Sequence, residues 1–125
     1  MEIRINENDF IMAYSNNKMV ALIKIFEGIP DYIRNKGYEK EYEKSCVIVT
    51  YPLLGKISLI SRDKGYRKLL DFALNVCKKK RKYISISEYA DDTIALGVIM
   101  SKGFKLIGEH TENNGRVVKD FIKKI

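Results

Sequence analysis

The run "ISISEY", Ile84 to Tyr89, ends a strictly alternating stretch on a carboxylate. In a strand, Ile84, Ile86 and Glu88 project from one face, while Ser85, Ser87 and Tyr89 project from the other. At the carboxyl end of a parallel strand, Glu88 would stand where the ligand clefts of α/β proteins open. Partial removal from water raises a carboxyl pKa, which suits a general base. The plain alternative is a solvent-facing strand end. His110, the one histidine, offers a second base, or is an ordinary polar side chain on a strand. A Cys/His metal site is not expected. Cys46 and Cys77 lie 31 positions apart, without ligand spacing, and read as buried, reduced fillers.

A second stretch, "SRDKGYRKLLDFAL" (Ser61 to Leu74), reads as a basic, glycine-punctuated turn between a strand and a helix. Such a turn exposes unpaired N–H groups, and the helix dipole adds partial positive charge, a combination that binds phosphate. Gly65 would let the backbone approach an anion closely, and Arg62, Lys64, Arg67 and Lys68 add charge. The same residues would also serve a simple bend with solvated cations. The run "KKKRK", Lys78 to Lys82, invites comparison with a nucleic-acid patch, but cations there also complement a helix C-terminus.

The elements that must position these groups follow from the hydrophobic pattern. "EIRI" (Glu2–Ile5) alternates as a strand. Phe10 to Phe26 is either a hairpin turning at Asn16-Asn17, the preferred reading, or a helix with Met19, Leu22, Ile23 and Phe26 on one face. Gly28–Lys44 is polar, with a helical turn or two. "CVIVTY" (Cys46–Tyr51) is a strand, "PLLG" a turn, and "KISLIS" (Lys56–Ser61) a second strand. Tyr66–Lys80 carries a helical stripe of Leu69, Leu70, Ala73, Val76 and Cys77. "KYISISEY" (Lys82–Tyr89) is a strand. Asp91–Gly103 is a helix capped by aspartate and stopped by glycine. The remainder is a hairpin about Asn114-Gly115. This is an α/β order with at least one right-handed parallel crossover, and the expectation is one domain over residues 1–125.

The chain carries 23 basic and 16 acidic residues, a net charge of +7, which favours anionic partners. The polar opening "MEIRINENDF" is not a secretory signal. Its longest clean apolar run, Met19–Ile23, is too short for a membrane span, which needs about 20 residues. The expectation from these features is a cytoplasmic protein.

From Lys56 to Ile125 the sequence resembles the GNAT superfamily of acyl-CoA-dependent N-acyltransferases. The family's R/Q-x-x-G-x-G/A motif is matched in its first four positions by Arg62-Asp63-Lys64-Gly65. Its N-x-x-A-x-x-x-Y-x-x-x-G-F pattern is matched by Asp92, Ala95, Gly103 and Phe104. The resemblance implies an α/β (α+β) fold with a mixed, mostly antiparallel sheet flanked by helices, and a parallel strand pair at the cofactor turn. It implies acetyl-CoA as cofactor, with Arg62, Asp63, Lys64, Gly65, Tyr66, Arg67 and Lys68 at the pyrophosphate. Main-chain amides near Leu59, Ile60 and Ser61 would donate to the oxyanion, and Asp92, Ala95 and Ile99 would lie on the second helix beside the thioester. Two departures stand out. Arg67 occupies the place of the second small residue, where it could block the pyrophosphate or grip it. Ile99 stands where many members carry a tyrosine, the presumed proton donor to the leaving thiolate. The implied function is acetyl transfer to a primary amine, of a small molecule or a protein, with Glu88 as base. A degenerate acyl-CoA-binding module and, as the lesser reading, a basic nucleic-acid-binding domain are the alternatives. A homodimer is left open.

Overall fold

The structure is a computed structural model that describes residues 1–28, 45–53, 55–79 and 83–125. Among them run strands β1 (Glu2–Ile5), β2 (Ile11–Ser15), β3 (Lys18–Glu27) and β4 (Ser45–Thr50), then helix α1 (Leu59–Lys78). Strand β5 (Tyr83–Tyr89), helix α2 (Thr93–Ser101), β6 (Lys105–Thr111) and β7 (Val117–Lys124) complete the order. The seven strands form one sheet in the order β1-β2-β3-β4-β5-β7-β6. Every neighbouring pair is antiparallel except β4–β5, which is parallel. Helix α1 crosses between those two strands and packs on β2, β3, β5 and α2. The mixed, mostly antiparallel sheet expected from the resemblance is therefore present.

The hairpin reading of Phe10–Phe26 holds. Asn16 and Asn17 take φ of 51° and 62° in the two-residue loop closed by Ser15↔Lys18. Asparagine tolerates the left-handed region better than other side chains, and this turn matches the twist of the flanking strands. The predicted helical turns in Gly28–Lys44 lie, beyond Gly28, outside the described residues.

The segment before the first helix differs from expectation. Lys56–Ser61 is not a strand, and Arg62–Gly65 is not a turn, because α1 begins at Leu59 and runs through both. Ser58 caps it. Its Oγ accepts from the Ser61 amide at 3.1 Å, and its carbonyl accepts from the Arg62 amide at 3.0 Å. The buried stripe of α1 comprises Gly65, Tyr66, Leu69, Leu70, Ala73 and Cys77. Gly65 thus faces the sheet, and a Cβ on it would lie 2.9 Å from Val20 Cγ2.

The core fills the space between α1, α2 and one face of the sheet. Ile11, Ala13, Ile23, Cys46, Ile48, Ile84, Ile86 and Phe121 meet the α1 stripe and Ala95, Val98 and Ile99 of α2. Both cysteines are buried thiols, as expected. On the opposite face, buried Asp120 accepts from Ser87 Oγ at 2.7 Å and lies 2.9 Å from His110 Nδ1.

Candidate active site

The parallel register runs from Ser45↔Tyr83 to Ile48↔Ile86, yet β4 continues to Thr50 and β5 to Tyr89. Past Ile48 and Ile86 the two strands part, and a cavity of about 530 Å³ opens beyond them. Thr50, Tyr51, Leu59, Arg62, Tyr66, Glu88, Tyr89, Asp92 and Arg116 are among its lining residues. This is the crevice outside the carboxyl ends of parallel strands where α/β folds bind ligands.

Glu88 is the buried carboxylate of this crevice among the described residues, only 6% exposed. Alternation places Cys46, Ile48 and Thr50 on the same face as Ile84, Ile86 and Glu88, so the two polar residues meet where the apolar pairs end. Thr50 Oγ1 donates to Glu88 Oε2 at 2.8 Å, and the Tyr66 hydroxyl donates to the same oxygen at 3.3 Å. The Tyr89 amide donates to Oε1 at 3.1 Å. Among the described residues no lysine or arginine pairs with it. Burial pushes the Glu88 carboxyl above the usual carboxylate range, and the Thr50 and Tyr89 hydrogen bonds offset that only in part. Burial, with the neighbouring Glu88 charge, also pushes the Tyr66 phenol well above its ordinary value.

Two arginines at the cavity already have partners. Arg62 Nη2 lies 2.5 Å from Asp92 Oδ2, joining α1 to the start of α2, while Asp92 Oδ1 caps α2 through the Ala95 amide at 3.1 Å. Burial draws the Arg62 pKa down, but the Asp92 hydrogen bond and charge outweigh it and hold it above its ordinary value. Arg116 stacks 3.4 Å over the Tyr89 ring and pairs with Asp91 at 3.0 Å.

Of the residues expected at the cofactor, Leu59, Arg62, Tyr66 and Asp92 line the cavity together with Glu88. Asp63 and Arg67 pair with each other at 2.6 Å, and Arg67 donates to Ser101 of α2 at 3.0 Å. Lys64 and Lys68 are exposed, and Lys68 reaches the Met1 carbonyl. Gly65, Ala95 and Ile99 are buried in packing contacts and are not among the lining residues. His110 is likewise not among them. Sequence reasoning missed Thr50, Tyr51 and Arg116. The apolar rhythm of β4, in step with that of β5, carried a signal for Thr50 alone.

The helix interior from Arg62 to Lys68 has its amides committed to the helix, so a phosphate cradle made of those amides is excluded. The anion-binding features lie earlier. Leu59 and Ile60 open α1 with amides that find no partner among the described residues, flanked by the Ser58 and Ser61 hydroxyls, 2.9 Å apart. Gly55, with φ of 98°, has open space beside it. A helix start with free amides and hydroxyls fits the anionic part of a nucleotide cofactor. Among the described residues no cluster of three or more metal-ligating side chains occurs, and no helix is long and apolar enough to cross a membrane.

No family model matches the chain, and no curated protein matches it significantly. Solved structures do. The acetyltransferase of GNAT family from Streptococcus pneumoniae superposes with a TM-score of 0.66 at 13% identity, covering 93% of this chain and 65% of that one. The ribosomal-protein-alanine N-acetyltransferase from Brucella melitensis gives 0.61 at 14% identity, with 93% and 68% covered. The Salmonella typhimurium protein yncA, solved with its cofactor acetyl-CoA, gives 0.61 at 10%, with 92% and 63% covered. This chain therefore spans about two thirds of their length. At such identities the likeness is one of fold.

Proposed function

Starting from a divergent chain with the GNAT fold, we propose that this protein is an acetyl-CoA-dependent N-acetyltransferase acting on a primary amine, with Glu88 as its general base. The observation that carries the proposal is the buried carboxylate of Glu88, without a cationic partner among the described residues, in the crevice where β4 and β5 part. Acetyl-CoA, when bound, supplies an acetyl group activated as a thioester. The Leu59 and Ile60 amides and the Ser58 and Ser61 hydroxyls hold its anionic portion at the start of α1, and Arg62 adds positive charge beside them. Glu88 accepts the proton of the acceptor amine, aimed by Thr50, Tyr66 and the Tyr89 amide.

Release of free thiol with a panel of amines, alongside calorimetric binding of acetyl-CoA and of a short DNA duplex, tests this reading. Glu88→Gln should lower turnover by about 10²–10⁴-fold and leave acetyl-CoA affinity unchanged. Turnover in the wild type should rise with pH as Glu88 loses its proton, with a midpoint above the ordinary glutamate value of about 4.3. Duplex binding without acetyl-CoA binding would refute it. A second reading, an acyl-CoA-binding module without turnover, is favoured by Ile99, which lies in the core and has no proton to give. Tight acetyl-CoA binding with no thiol release would select it.

A further inference from the structure

Glu88 and Tyr66 share more than a hydrogen bond. Both are 6% exposed, both line the cavity, and the phenol and the Thr50 hydroxyl converge on the same carboxylate oxygen, Oε2. A carboxylate accepts both of these protons. A carboxylic acid protonated at that oxygen has less acceptor capacity there and gains an O–H that needs an acceptor of its own. Protonation of Glu88 at Oε2 therefore lets the polarity of this contact reverse, with the acid donating and the Tyr66 oxygen receiving. The phenol proton is then released from its contact with Glu88 and can be given to a group in the cavity.

We propose that Glu88 and Tyr66 form a proton relay, in which the proton taken from the acceptor amine by Glu88 is returned, through the Tyr66 hydroxyl, to the sulfur that leaves the acetyl group. The relay rests on the acetyltransferase reading above. It balances as follows. The amine nitrogen bonds to the acetyl carbon, and the carbon–sulfur bond breaks with its electron pair on sulfur. The surplus N–H proton passes to Glu88 Oε2, the Tyr66 O–H proton passes to sulfur, and the Glu88 proton passes to the Tyr66 oxygen. The products are an amide and a thiol, and both side chains end as they began.

The acidities argue for a relay over a lone phenol. Ordinary values are about 4.3 for Glu, 8.5 for a thiol and 10 for Tyr. A phenol acting alone gives its proton uphill to a thiolate. A protonated glutamate acting through the phenol gives it downhill, and no free phenolate accumulates. The 3.3 Å contact is long for O–H···O, as catalytic hydrogen bonds often are before a substrate is bound. Tyr66 comes from α1, one turn beyond Arg62, so the relay takes no part of its chemistry from position 99.

The test uses wild type, Tyr66→Phe, Glu88→Gln and the double variant, each checked for a cooperative melt. With acetyl-CoA, Tyr66→Phe should lower kcat by about 10²-fold or more with acetyl-CoA affinity unchanged, and the double variant should be no slower than Glu88→Gln alone. With an aryl thioacetate, whose thiolate leaves without a proton, the loss in Tyr66→Phe should be smaller than with acetyl-CoA by about tenfold or more. Damage to packing would slow both donors alike. A readout free of turnover is the carbon-13 carboxyl titration of Glu88, whose midpoint should rise by about one pH unit in Tyr66→Phe, since the phenol hydrogen bond favours the charged carboxylate. Additive losses, equal losses with both donors, or an unmoved Glu88 titration overturn the relay and leave the acetyltransferase reading standing. A wild type that releases no thiol with any amine overturns both.

Discussion

Gly65 sits in the middle of α1, where glycine is normally a liability, and replacing it with alanine weighs two known effects against each other. A helix-interior Gly→Ala change ordinarily stabilises by about 1 kcal/mol. Here the new Cβ would stand 2.9 Å from Val20 Cγ2 and 3.1 Å from Ala21 Cβ. Both neighbours are 2% exposed, and the first belongs to a β-branched side chain with little rotameric freedom. Forcing α1 away from β3 costs about 1–3 kcal/mol, as overpacking usually does. The net expectation is a loss of about 1 kcal/mol, or about 3–6 °C in Tm for a chain of this size. Urea and thermal melts of wild type, Gly65→Ala, Val20→Ala and the double variant measure it. The double variant should show a favourable coupling of about 1 kcal/mol, because removing the Val20 methyls makes room for the added one. Acetyl-CoA affinity should be unchanged, since Gly65 meets β3 and not a ligand. A gain of about 1 kcal/mol in Gly65→Ala with no coupling to Val20 would mean that α1 does not lie against β3 here. Loss of affinity without loss of stability would restore Gly65 to a phosphate turn.

Glu88→Gln should raise Tm at neutral pH. A carboxyl whose folded pKa is raised contributes stability below its unfolded value and loses it as pH rises through the folded one, so the buried charge is a burden at pH 7. Melts from pH 4 to 8 should show the gain of Glu88→Gln shrinking toward the acid end, and a constant difference would contradict the raised pKa. At the start of α2, Asp92→Asn keeps a good cap but removes the partner of Arg62, whereas Asp92→Ala removes both. The alanine variant should be less stable than the asparagine one by about 1 kcal/mol, the worth of a cap, in chemical denaturation. The charge alone should count for less, as Arg62 is one third exposed.

Much of the sheet could be read from alternation and turn residues. Asn16-Asn17 marked the β2–β3 hairpin even though Met19, Leu22, Ile23 and Phe26 also fit a helix, because left-handed conformation is demanded of only a few residue types. Glu88 was found because strand periodicity puts it in line with Ile84 and Ile86. The start of α1 was misread because Ile57 and Leu59 mimic strand alternation and Gly65 mimics a breaker. The buried stripe begins at Gly65 and Tyr66, with the half-buried Arg62 one turn earlier, but a glycine and an arginine carry no hydrophobic signal. A glycine chosen for close approach and a glycine chosen for a turn are the same letter. Nor does any residue announce that hydrogen bonding between β4 and β5 stops after Ile48 and Ile86. That parting depends on two segments far apart in sequence, and Thr50 became meaningful only once it was known.

The parallel seam also bears on how the molecule assembles. Strands β1 to β4 form one antiparallel ribbon and β5, β7 and β6 another, with tight turns at Asn16-Asn17 and near Gly115. The two ribbons are stitched by four residue pairs, Ser45–Ile48 against Tyr83–Ile86, whose closure spans all of α1. Pairings of high sequence separation bear the loop-closure entropy before any contact rewards them. The β5–β7 pairing, from Tyr89↔Val118 to Tyr83↔Lys124, closes a comparable span, so the seam and the inner edge of the second ribbon are both long-range closures, unlike the local β1–β2, β2–β3 and β6–β7 hairpins. The crevice that holds Glu88 opens at the end of that seam, so its walls meet only through these long-range closures and not through any local hairpin.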